Sequence, residues 1–208
     1  MATTLYPVDD RIAYKNSATW AGARDATGGL SLTLNAFIGA AVSGRYDSAT
    51  SLYTVARTNI VFDVSSISSK PFSAYLMIKG YANADSDMRL VRGVHGGSYS
   101  FSLPGIVGWS NGVDNTSNVT IWDTGEISTW NIGAYNSIQL NDAGLDALVS
   151  LSEIDLALID NDFDLTNNTP TSITSTGMFF NESSGLTADP KLVIEMSPPN
   201  STLMGANF

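Results

Sequence analysis

R-T-N-I-V-F-D-V, running from Arg57 to Val64, is the stretch that decides the fold. Ile60, Phe62 and Val64 fall on one face of an extended chain, and Val61 and Asp63 fall on the other. Alternation of period two that ends in the turn S-S-I-S-S-K-P predicts a half-buried strand. The apolar run from Phe72 to Ile78 comes soon after and is its expected partner strand.

The same pattern recurs on both sides. Leu30, Leu32 and Leu34 alternate with Ser31 and Thr33, and Ala36 to Val42 stays apolar until Ser43-Gly44 breaks the run. Met88 to Val94, Ile138 to Leu140, Glu153 to Ile159, Met178 to Phe180 and Lys191 to Met196 read as further short strands. One helix is expected: Asn141 or Asp142 can cap A-G-L-D-A-L-V-S-L, where Leu145, Leu148, Val149 and Leu151 form a rough apolar stripe. Eight to ten short strands, polar turns and no alternation of strand with helix predict an all-β protein, an antiparallel jelly-roll-like β-sandwich with one short helix. The expected division is an N-terminal arm or edge strand over 1–29, the β-sandwich domain over 30–197 and a flexible C-terminal tail over 198–208.

Charge and composition exclude several functions. Ten Lys and Arg stand against 20 Asp and Glu, a formal net charge of -10, which disfavours nucleic acid as a partner. The absence of cysteine removes disulfides, thiol nucleophiles and thiolate metal sites. His95 is the single histidine, no G-x-S-x-G surrounds a serine, and no phosphate-binding G-x-x-x-x-G-K-[ST] occurs, so no enzyme is expected. No apolar run is long enough to predict a membrane helix. The opening M-A-T-T-L-Y-P-V-D-D lacks the basic and apolar regions of a secretory leader.

Four segments in order carry a resemblance: R-T-N-I-V-F-D-V-S-S-I with S-A-Y-L-M-I-K; Trp130-Asn131; S-I-Q-L-N-D-A-G-L-D-A-L; and A-D-P-K-L-V-I at 188–194. Together they resemble the DNRLRE-type domains, which are β-sandwiches similar in fold to carbohydrate-binding modules. The resemblance implies a non-enzymatic extracellular or particle-surface module. It places Trp130 in the scaffold. A small acidic chain of this kind is expected to be a virion structural protein, a capsid decoration, spike or tail component. Its expected partners are the capsid or tail proteins of a phage particle, further copies of itself, or surface polysaccharide. The alternative is a carbohydrate-binding module or glycan-adhesion domain, with an extracellular location.

Candidate contact residues follow from side-chain chemistry. Asp160, Asp162 and Asp164 alternate beside Asn161 and Asn167, hard oxygen ligands suited to a structural calcium, the favoured competing reading being an ordinary acidic loop; Asp85 with Asp87 is a smaller pair. No other cofactor is expected. Trp109, Tyr99 and Trp122 lie in or near Gly-rich loops, where rings contact a glycan or a protein partner. Tyr6 and Trp20 mark the N-terminal segment as a docking arm, the competing reading being a frayed end. Arg57 and Asp63 share a strand face and are expected to hold the scaffold rather than a ligand.

Overall fold

The computed structural model describes residues 2–26, 31–34, 38–84, 87–93, 119–180 and 188–196. Eleven strands run through them: β1 (Ala2–Leu5), β2 (Asp9–Ser17), β3 (Ser31–Leu34), β4 (Ile38–Asp47), β5 (Leu52–Asp63), β6 (Ser73–Ala84), β7 (Met88–Arg92), β8 (Tyr135–Gln139), β9 (Glu153–Asp160), β10 (Ser175–Phe179) and β11 (Lys191–Glu195). Helices α1 (Trp20–Arg24) and α2 (Asp142–Ser150) and a π-helical turn at Asn161–Leu165 complete the described elements.

The strands pair antiparallel throughout and form two layers. One layer runs β1, β11, β6, β8. The other runs β3, β2, β5, β9, β7, with Ser43–Asp47 of β4 sharing the β9 edge of β5. The far ends of β4 and β6 both pair with β10, which joins the layers. The fold is therefore an all-β antiparallel sandwich, as the alternation predicts.

Inward residues of both layers make one core. Ile60 and Phe62 on β5 and Leu156 and Leu158 on β9 meet Leu76 and Ile78 on β6 and Leu192 and Ile194 on β11. Each is fully buried, and each such side chain contributes about 1.5–3 kcal/mol over an exposed one. Leu145 and Leu148 of α2 close one end of this core. Asn141 caps that helix, its Oδ1 accepting from Gly144 N at 3.0 Å.

Four expectations need correction. β6 is not bonded to β5 but lies across the core from it. The connection after β5 changes layer: Val64 N donates to Ser152 O beside β9, and Phe72 N donates to Glu195 O on β11. Secondly, β5 is buried on both faces rather than half-buried. A second apolar cluster covers its outer side, with Val55, Ala13 and Ala157 under Trp20 and Ala23 of α1, Leu165 of the π turn and Val119. Thirdly, there is more than one helical segment. Thr19 starts α1 by accepting from Gly22 N at 3.1 Å, and Asp160 starts the π turn by accepting from Phe163 N at 2.8 Å.

Finally, residues 2–26 form no separate arm. β1 is an edge strand on β11, while β2 pairs with β5 along its whole length, from Asp9 opposite Val61 to Ser17 opposite Tyr53. Residues 2–26 thus belong to the sandwich. The Gly28-Gly29 turn, His95 and the tail over 198–208 lie outside the described residues. Among the described residues no helix is long and apolar enough to cross a membrane.

Candidate functional site

The three alternating aspartates do not converge. β9 ends at Asp160, and the chain then enters the π turn, where positions two apart point to nearly opposite sides. Asp160 is buried as the cap of that turn. Asp164 is fully buried on the outer face of β5. There it accepts from Arg57 Nε and Nη2, each at 2.6 Å, and lies 3.6 Å from Arg24 Nε. Asp162 points the other way and joins Asp87 and Glu126, the ligand atoms of all three lying within 4.8 Å of one another. Asp160, Asp162 and Asp164 therefore do not form one ligand set. The carboxylates that do gather come from three separate segments, and Glu126 carried no sequence signal at all. Three carboxylates are the beginning of a hard-cation set, which ordinarily needs six to eight oxygens.

Arg57 and Asp63 share a strand but not an interaction. Arg57 is fully buried in its bidentate pair, and its Nη2 also donates to Arg24 O at 3.1 Å. Asp63 is exposed and accepts from Ser65 N and Oγ, at 2.9 and 2.6 Å. Those hydrogen bonds hold its carboxyl below the usual range. Both residues act in the scaffold, one inside it and one at a turn.

Next to Arg57 on the same face, Asn59 Nδ2 donates to Asp155 Oδ1 at 2.7 Å. Burial pushes the Asp155 carboxyl up to about 7, against the opposing pull of that hydrogen bond and of the Arg11 charge. Gly93 packs directly on it: its N donates to Asp155 O at 2.8 Å, and a Cβ there would fall 2.2 Å from Asp155 Oδ1. A shallow cleft of about 280 Å³ beside it is lined by Arg92, Trp122 and Glu153.

The aromatic candidates divide. Trp122 is 3% exposed and packs in the main core, so it is not an exposed loop ring. Its backbone explains this: Trp122 N donates to Leu90 O at 2.8 Å, which draws the residue in over β7. Trp130 is also in the core, with Nε1 donating to Gly177 O at 3.2 Å. Trp20 is 7% exposed; its Nε1 donates to Asn167 Oδ1 at 3.2 Å and its ring packs on Tyr53. It is thus removed from any docking arm. Tyr6 does stay exposed. Trp109 and Tyr99 lie outside the described residues.

Two surfaces remain on the β6 layer. The first is the β1 edge. Among the described residues β1 pairs only with β11, and A-T-T-L-Y-P-V bears no charge. Tyr6 and Val8 follow it, and Phe72, bonded through its N to Glu195 opposite Ala2, lies near its start; all three are exposed. The second is a cleft of about 420 Å³ at the β8 edge, with Tyr75, Ser137 and Gln139 on one side and 123–129 on the other. That segment is tightly held. It bridges β7 through Ile121 and Ile127 and meets Leu140 through Asp123. Arg89 clasps Asp123 at 2.7–3.0 Å, and Leu90 N donates to Asp123 Oδ2 at 2.6 Å.

A scan against protein-family models finds no match for this chain, and a search among curated proteins finds none either.

Proposed function

We propose that this chain is a non-enzymatic structural protein of a virus particle, a capsid decoration, spike or tail component that works by protein–protein contact. The observation that carries the reading is the β1 edge. Exposed sheet edges invite pairing with another chain, and natural proteins blunt them with charge, proline or cover. Over Ala2–Leu5 this edge has no charged residue, and exposed Tyr6 follows it directly. A partner strand added there would gain main-chain hydrogen bonds and apolar anchors together. The resemblance to DNRLRE-type domains supports the particle setting. The test is mass spectrometry and immunogold labelling of particles purified from the natural source. The protein is expected at stoichiometric level on the particle surface; its absence from washed particles would overturn the reading.

The second reading, a glycan-adhesion domain, is favoured by the cleft beside β8. An aromatic ring next to hydroxyl and amide groups is the usual make-up of a sugar site. The two readings are compatible, since β1 and β8 lie at opposite edges of one layer.

A further inference from the structure

We infer that the cleft at the β8 edge is a binding site for a neutral glycan and that it discriminates against acidic sugars; the inference rests on the glycan-adhesion reading. Tyr75 and Gln139 are directly opposite each other on β6 and β8, and Ser137 stands one outward position along β8. Tyr75 is half-buried and lines the cleft; Ser137 and Gln139 are exposed. Across the cleft, Thr124 and Ser128 add hydroxyls. A ring flanked by an amide and hydroxyls meets both parts of a sugar, its apolar C–H face and its hydroxyl edge.

The opposite wall is fixed before any ligand arrives. Thr124 N donates to Gln139 O at 3.1 Å, Asn141 Nδ2 donates to Ile121 O and Asp123 O at 2.8 and 3.1 Å, and the Arg89–Asp123 clasp locks the base. A preorganised wall loses little freedom on binding. At about 420 Å³ the cleft falls in the range of small-ligand sites.

Its charge gives the selectivity. Among the described residues no Lys or Arg lines the cleft, while two carboxylates, Asp123 and Glu126, do. Asp123 is neutralised by Arg89, but Glu126 is exposed and stands with Asp87 and Asp162 behind it. A uronate or sulfate placed there meets net negative charge.

The experiment is a glycan array with the intact chain in chelator, followed by titration of the hits, with oligogalacturonate as the acidic arm. Tyr75→Ala and Gln139→Ala are each expected to weaken a neutral hit at least tenfold. Glu126→Gln is expected to raise oligogalacturonate binding. Gln139 is exposed, so its variant remains informative if Tyr75→Ala fails to fold, with circular dichroism as the check. Neutral hits unaffected by both variants would overturn the site while leaving the glycan reading standing. Equal binding of oligogalacturonate would overturn the selectivity. No neutral glycan bound at all would overturn the glycan reading and the inference with it.

Discussion

On the layer that holds β5, the outward residues Arg57, Asn59 and Asp155 are buried under α1, the π turn and neighbouring chain. On the layer that holds β6, the outward residues Tyr75, Met77 and Lys79 stay half open. Both strands alternate with period two. The difference lies in what covers them and in how polar groups are satisfied. On the covered side Asp164 takes both forks of Arg57, and Asp155 takes the amide of Asn59. On the open side Lys79 and Lys191 lean on the rings of Phe179 and Tyr135, at 5.5 and 4.2 Å, and no carboxylate bridges to them among the described residues. The covered face spends its polar chemistry on the fold, and the open face leaves its own available for contact.

Breaking the covered face should therefore have the largest effect. Asp164→Ala removes the carboxylate that the Arg57 and Arg24 guanidiniums share in a fully buried site. Loss of one partner from a buried pair costs about 3–5 kcal/mol. Urea unfolding should show a loss of that order, and a loss under about 1 kcal/mol would mean that the pair is dispensable.

Asp155 gives a pH signature of the same face. Its carboxyl titrates at about 7 in the folded chain and near 3.8 when unfolded. Between those values the folded chain holds more protons than the unfolded one. Stability therefore falls as pH rises through that window and levels off above it. Asp155→Asn keeps an acceptor for Asn59 and removes the charge. It should be more stable than the parent at pH 8, by a few kcal/mol on the order of the shift, and should lack the slope. Thermal melts from pH 4 to pH 8 check this; parallel profiles for the two chains would contradict it.

How much of this could be read beforehand depends on the range of the interaction. The strand at Arg57–Val64, the Asn141 cap and the final Lys191 strand are local patterns, and each could be read from neighbours in sequence. The cover over β5 could not. Nothing near Arg57 or Asn59 in the sequence points to what covers them, because their partners are 107 and 96 residues away. The aspartates at 160–164 were visible as a cluster, yet the π turn sends Asp162 and Asp164 apart. Glu126 reaches Asp162 only because 121–127 bridges the two layers. Trp122 looks like a loop aromatic for the same reason: the bridge that buries it is not a strand that alternation reveals.

Smaller effects sharpen the contrast. Gly93→Ala puts a Cβ against the Asp155 carboxyl and should cost about 1–3 kcal/mol by overpacking, measured by denaturant midpoint. On the open layer, Ser137→Ala and Gln139→Ala should change stability by less than about 0.5 kcal/mol, since both side chains are exposed. A large loss there would show that the open face also serves the fold.

The β1 edge is where the open layer meets its proposed partner. The most direct measurement is co-sedimentation of the purified protein with particles stripped of it, comparing the parent chain with Thr4→Lys and Tyr6→Asp. Both positions are exposed, so thermal midpoints should stay unchanged while particle binding falls at least tenfold. Undiminished binding by folded variants would contradict docking through this edge, and no binding by the parent chain would contradict the particle role itself.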